Sequence, residues 1–295
     1  MNNYNEKKIL ITGANGYIGS HVIKALLDYG NQVIAVDFKT DNIDTRAIVH
    51  SYNIFNDDEN LLKDLKSVDA ILHMAWQDGF VHNSENHIKN LPLHYDFIKT
   101  CIDNNIKHIA IMGTMHEIGY YEGKIDENTP TNPLSLYGIA KNSLRQSCKV
   151  LQTHNPDICF QWIRAFYIYG DDKNNNSIFA KILKAEKEGK TEFPFTSGEN
   201  KYDFLDIKEL AKQITQVINQ TTVNGIINCC TGYPVRLKDK VEEFLTKNNL
   251  KIKLAYGKYP DRPYDSPIIY GDNTKILEIL KGENNNNECP KNFWF

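Results

Sequence analysis

Arginine is scarce in this chain: only five of its 34 basic residues are arginines, Arg46, Arg145, Arg164, Arg236 and Arg262. Because the guanidinium group pairs bidentately with phosphate and carboxylate, each of the five is worth placing individually. A surplus of one charge is also lacking. Thirty-four basic against 37 acidic residues leave −3 at pH 7, so no molecule-wide field draws the protein onto nucleic acid or an anionic membrane. No apolar run approaches the roughly 18–20 residues that span a bilayer, and residues 1–8 are polar, without a signal-peptide core. A cytoplasmic protein with no membrane and no nucleic-acid partner is expected. The six cysteines, at positions 101, 148, 159, 229, 230 and 289, lack both the CxxC spacing of a zinc site and the density of a secreted scaffold, so reduced, mostly buried thiols are expected. The nine histidines contain no HExxH, and no metal is expected.

What is present is a globular composition. The 295 residues are 41% hydrophobic and 24% charged, enough apolar surface to offset the entropy of ordering a large core. In the first half, short apolar runs alternate with amphipathic stretches. The runs are 8–12, 32–37, an irregular one at 49–54, 70–73, 108–112 and 159–168; the helix-like segments are 18–29, 61–65, 93–104 and 136–153. This rhythm predicts an α/β fold, a Rossmann-like doubly wound parallel sheet. Beyond Gly170 the rhythm breaks, and helices are expected near 178–188 and 237–248. Residues 1–170 read as a nucleotide-binding domain carrying the catalytic residues, and 171–295 mainly as a smaller substrate-binding lobe partly interwoven with it.

The first run leads directly into Gly13-Ala14-Asn15-Gly16-Tyr17-Ile18-Gly19 and then a helix. Such a turn needs glycine where the chain folds tightly, where backbone N–H groups approach a pyrophosphate, and where the helix packs on the sheet. Asp37 ends the next strand, where a carboxylate accepts both ribose hydroxyls of NAD and repels a 2′-phosphate. NAD(H) is therefore preferred, with Lys39 nearby leaving NADP(H) open.

These residues, followed in order by His73-Met74-Ala75, Asn90, Thr114 and Tyr137-x-x-x-Lys141, resemble the extended short-chain dehydrogenase/reductases, in particular the NAD-dependent epimerase/dehydratase family that modifies nucleotide-linked sugars. Tyr-x-x-x-Lys spacing alone is uninformative, because it also starts at Tyr4, Tyr95, Tyr120 and Tyr169. Only Tyr137 follows the strand that delivers Thr114 and lies on a helix. Four residues apart on one helix face, Lys141 is expected to stabilise the Tyr137 phenolate and lower its pKa, making a proton donor or acceptor near neutrality. By the resemblance, Lys141 also holds the nicotinamide ribose, and Thr114 replaces the usual serine that bonds the reacting oxygen. Further cofactor contacts are implied for Gly13, Asn15, Gly16, Tyr17, Ile18, Gly19, Asn53, Ile54, Met74, Ala75 and Trp76. Asn90 is expected to support the active-site helix, and His73 to be a core histidine. His82, His87 and His94 read as a solvated loop and helix face, one of which could touch substrate.

Several positions depart from the family pattern. Sugar 4,6-dehydratases carry Asp-Glu directly after the catalytic threonine, whereas this chain has Met115-His116-Glu117; a one-residue bulge would be needed to bring His116 or Glu117 into the site. Tyr167 and Tyr202 replace an asparagine and an arginine expected near the substrate diphosphate. Arg262 is the best remaining phosphate ligand and Lys201 a weaker one, while Arg236 and Arg164 read as structural. Met115, His116, Tyr167 and Arg262 are the substrate-side candidates. The resemblance implies NAD-dependent reduction of the 4-keto group of a nucleotide-linked deoxysugar, in surface-polysaccharide sugar synthesis, by a homodimer. A 4-epimerase is the alternative; a 4,6-dehydratase or a non-catalytic dinucleotide sensor fits less well.

Overall fold

The structure, a computed structural model, describes residues 6–56, 59–170, 177–261 and 265–284. In chain order the elements are β1 (Lys8–Thr12), α1 (Tyr17–Tyr29), β2 (Gln32–Val36), β3 (Ile48–His50), α2 (Glu59–Leu65), β4 (Ala70–His73), α3 (Asn86–Asp103) and β5 (His108–Thr114). A short 3-10 turn (Met115–Glu117) then precedes β6 (Gly123–Ile125), α4 (Leu136–His154), β7 (Cys159–Ala165), β8 (Tyr167–Tyr169), α5 (Ile178–Lys187), β9 (Glu192–Pro194) and β10 (Lys201–Asp206). The remainder comprises α6 (Ile207–Asn219), β11 (Gly225–Cys229), β12 (Pro234–Arg236), α7 (Leu237–Lys247), β13 (Lys253–Ala255), β14 (Ile268–Gly271) and α8 (Thr274–Asn284).

Seven strands form one parallel sheet in the order β11-β7-β5-β4-β1-β2-β3, the Rossmann-like doubly wound arrangement expected from the alternation. Its side chains alternate between two faces, as strand geometry requires. Ile9 and Ile11 of β1 pack with α1 and α6 residues such as Val22, Ile23 and Ile214. Leu10, between them, joins Phe97, Ile98 and Leu144 of α3 and α4 on the other face. The strand order reverses between β1 and β4, so the crevice beyond their carboxyl ends is where such sheets bind ligands. A smaller sheet, β12-β10-β14-β6 with β8 on β10, packs over a third core containing Met115, Phe166, Phe179 and Phe195.

Three expectations about the elements are corrected. The run 159–168 is not one strand. It splits at Phe166, so that β7 stays in the large sheet and β8 crosses to pair with β10. The irregular run 49–54 contributes only Val49 and His50 to the three-residue β3, and Asn53 and Ile54 fall in the turn that follows. The stretch after α5 is not loop-rich throughout: α6 packs beside α1, and β11 extends the large sheet beyond β7. Among the described residues no helix is long and apolar enough to cross a membrane.

Candidate active site

The crevice is built around glycines. Gly13 has φ +71°, and a Cβ there would lie 2.6 Å from the Ala75 nitrogen; one on Gly19 would lie 2.2 Å from the Gly13 carbonyl. The loop therefore folds against the end of β4 in a way only glycine permits. Gly16 caps α1 without a side-chain bond, leaving a helix N-terminus of the kind that attracts pyrophosphate. The Asp37 carboxylate accepts from the Asn15 N–H at 3.0 Å, and Asn15 accepts from Asn42 N–H at 2.8 Å. Tyr17 donates its hydroxyl to the Gly170 carbonyl, and Ile18 packs on the core. Asn53 turns inward, accepting from Phe55 N–H at 3.1 Å, and Ile54 is buried. Asn90 donates to Gln77 at 2.9 Å.

Hydrogen bonds and a ring stack link the end of β1 and the end of β4 to α3. Thr12 Oγ1 accepts from the Met74 and Ala75 N–H groups, each at 3.2 Å, so its own proton goes to His73 Nδ1 at 2.7 Å. His73 must then donate from Nε2 to His94 Nδ1 at 2.9 Å. His94 stacks on Trp76, centroids 4.3 Å apart, and Trp76 donates to His87 Nδ1 at 3.0 Å. Burial drives the His73 pKa well down and that of His94 to about 3, which keeps both neutral. His87 and His94 are buried, so they are not the solvated face expected from the sequence; His82 alone of the three is exposed.

The end of β5 and the start of α4 bring the reaction groups together. Ser135 caps α4 by accepting from Gly138 N–H at 3.1 Å, and the Tyr137 N–H donates to the His82 carbonyl at 2.9 Å. The Tyr137 ring stacks on His82 at 5.5 Å, with His87 and His116 at 5.3 and 6.0 Å. Thr114 Oγ1 accepts from His116 N–H at 3.3 Å, and its hydrogen bond with Tyr137 favours the phenolate. Burial outweighs it and pushes the Tyr137 pKa up to about 12. Lys141 supplies no offset, because its ammonium donates to the Met112 carbonyl at 2.7 Å and sits 3.8 Å above the Trp76 ring. The same burial lowers its own pKa to about 7. The expected lowering of the tyrosine by the lysine is thus not seen in the structure.

His82 and His116, whose rings contact Tyr137, line a cavity of about 530 Å³ together with Met115, Tyr167, Tyr202 and Lys181, whereas Tyr137 and Thr114 are not among its lining residues. Three substrate-side candidates, Met115, His116 and Tyr167, share this wall, while Arg262 lies outside the described residues. Burial holds the His116 pKa at about 4, so its ring is neutral. Tyr167 and Tyr202 stack on each other at 4.2 Å, which explains why both departures from the family pattern are aromatic. Neither Lys201 nor Arg236 lines the cavity. Sequence reasoning passed over Lys181, Phe193 and Phe195, which do; the only signal was their position in the lobe's amphipathic segments. Glu117 does not reach the cavity: it is fully buried behind Thr114, so no dehydratase-like acid pair forms.

Residues 9–230 match the model of the NAD dependent epimerase/dehydratase family. The chain belongs to that family. Its cofactor is accordingly NAD. A dTDP-6-deoxy-L-talose 4-dehydrogenase (NAD(+)) from Aggregatibacter actinomycetemcomitans is 46% identical over 269 residues, 89% of this chain and 98% of that protein. An uncharacterized UDP-glucose epimerase from Bacillus subtilis is 29% identical over 238 residues, 74% of each. Among solved structures, a UDP-N-acetylglucosamine 4-epimerase from Methanobrevibacter ruminantium superposes with a TM-score of 0.81 at 23% identity, covering 93% of this chain and 92% of the other. That last likeness is one of fold. The glycines that no side chain could replace, the uncapped α1 N-terminus and Asp37 fit the family's dinucleotide.

Proposed function

We propose that this protein is a nucleotide-sugar 4-oxidoreductase, interconverting the C4 hydroxyl of a dTDP-linked 6-deoxyhexose of the 6-deoxy-L-talose type and the corresponding 4-ketone. The observation that carries this reading is the 46% identity to the dTDP-6-deoxy-L-talose 4-dehydrogenase along nearly its whole length, on a chain that keeps Thr114, Tyr137 and Lys141 together. The reduction expected from the sequence and the oxidation named for that relative are one equilibrium read in opposite directions. Bound NAD supplies the hydride acceptor, or NADH the donor, for C4.

The protein's residues handle the proton. Held protonated by burial, Tyr137 is poised to donate to an alkoxide developing at C4 during reduction, and in the oxidative direction it takes that proton back. Thr114, hydrogen-bonded to Tyr137, stabilises the phenolate left behind. Lys141 is assigned to the nicotinamide ribose, and leaving the Met112 carbonyl for that site would put its charge to use. Gly13–Gly19 and Asp37 bind the dinucleotide, Met115, His116 and Tyr167 face the sugar nucleotide, and Arg262 is assigned to its phosphates. A homodimer working in surface-polysaccharide sugar synthesis completes the proposal.

The test follows absorbance of NADH with dTDP-6-deoxy-L-talose plus NAD and, in reverse, with the 4-keto sugar plus NADH. Stoichiometric cofactor turnover is expected. Tyr137→Phe should lower kcat about 10²- to 10⁴-fold without changing NADH affinity. Inversion at C4 with no net change in cofactor would replace this reading by the 4-epimerase one.

A further inference from the structure

Two of the chain's five arginines are committed to one buried carboxylate outside the cavity. Glu117 is 0% exposed, with its Oε2 3.2 Å from Arg145 Nε and 3.6 Å from Arg164 Nη2. Its other oxygen accepts from the Trp162 indole N–H and from the Thr114 N–H, both at 2.8 Å. With the Thr114 hydroxyl accepting in return from the 3-10 turn, this is a capping box closed around the reacting threonine. The two donors and two cations come from three elements: β5 carries Thr114, β7 carries Trp162 and Arg164, and α4 carries Arg145. Arg145 stands one turn beyond Lys141, on the helix face that also carries Tyr137. Gly113 clears the space, since a Cβ there would meet Trp162 Nε1 at 2.1 Å and Glu117 Oε1 at 2.8 Å.

We propose that Glu117 is a positioning residue: anchored by Arg145, Arg164 and Trp162, its carboxylate holds the Thr114 backbone and thereby fixes the Thr114 hydroxyl against Tyr137. The inference rests on the assignment of Thr114 and Tyr137 as the reacting pair. A buried charge of this kind is expensive unless paired and hydrogen-bonded; here Oε1 accepts both hydrogen bonds, and Oε2 has the two arginine ion pairs but no hydrogen bond. The alternative role is charge balance for the two arginines. The two roles respond oppositely to small changes. Glu117→Asp keeps the charge but withdraws it by one methylene, too short to serve the arginines and Thr114 together. Glu117→Gln keeps an oxygen at Thr114 but removes the charge.

The experiment compares both variants as NAD-loaded enzyme with dTDP-6-deoxy-L-talose, alone and combined with Thr114→Ala. If Glu117 positions Thr114, Glu117→Asp lowers kcat about 10²-fold, the typical effect of a 1 Å misplacement, with KM and NADH affinity unchanged. Glu117→Gln then restores most of that loss, and Glu117→Asp costs nothing further in the Thr114→Ala background. A Glu117→Asp enzyme with wild-type kcat, or losses that multiply with those of Thr114→Ala, would overturn the proposal. Crystal structures of the two variants with NAD supply a readout that needs no turnover: the Thr114 hydroxyl should shift away from Tyr137 in the Asp variant only, and an unmoved hydroxyl would equally overturn it. A wild type inactive on every C4 substrate sinks the functional reading instead, and leaves the crystallographic comparison to decide the role of Glu117.

Discussion

Lys141 carries its charge in surroundings that disfavour it. Burial lowers its pKa from 10.5 to about 7, with the neutral rings of His73 and His94 and the Trp76 face nearby. A lysine whose folded pKa is depressed destabilises the fold fully below about pH 7, and the penalty fades as pH rises toward 10.5, because only the unfolded chain binds the proton in that window. The expected magnitude is a few kcal/mol at neutrality, reduced by the bond to the Met112 carbonyl and the cation–π contact. Lys141→Met should therefore raise the Tm of the cofactor-free protein at pH 6–7, with the gain shrinking by pH 10, while abolishing turnover. An equal or lower Tm at pH 7 would show that the ammonium is better solvated than the structure indicates. Asp37 acts at the same scale. Its carboxylate holds the Asn15 N–H and is proposed to accept the ribose hydroxyls, so Asp37→Ala should weaken NADH about tenfold or more and narrow its advantage over NADPH. Titration of both cofactors against both proteins checks this, and an unchanged ratio would contradict the assignment.

At the scale of elements, legibility tracked how local the determining contacts are. The loop from β1 to α1 was readable because its glycines answer to backbone geometry within seven residues. Gly19→Ala should cost about 1–3 kcal/mol, since the new Cβ would meet the Gly13 carbonyl at 2.2 Å, and should abolish NADH binding; calorimetric unfolding and cofactor titration measure the two effects. Helix α6 carries Ile207, Leu210, Ala211, Ile214, Val217 and Ile218, all buried at helical spacing; that periodicity is legible in the sequence but falls where a separate lobe is expected. The split at Phe166 was not readable. Residues 159–168 are continuously apolar or aromatic apart from Gln161 and Arg164, and only the partner strands, β5 on one side and β10 on the other, divide them. α3 begins at Asn86, seven residues before the expected 93: it runs through Pro92, a helix breaker by sequence, and over His87, which looks polar but is a core residue bonded by Trp76.

Across the whole molecule, the family's order of motifs made the reaction groups legible, and their environment was not. Thr114, Tyr137 and Lys141 come from β5 and α4 as the motifs imply, yet the sequence contained no sign that Lys141 rests on Trp76 or that Glu117 lies behind Thr114 rather than in the cavity. Those facts depend on three elements meeting. The central claim concerns what happens at C4, and the most direct measurement labels that carbon. With deuterium at C4 of dTDP-6-deoxy-L-talose and excess NAD, mass spectrometry of the released cofactor should find the deuterium in NADH, rising in step with the 4-keto sugar. Deuterium retained on a sugar with inverted C4, and no labelled NADH released, would contradict a 4-oxidoreductase.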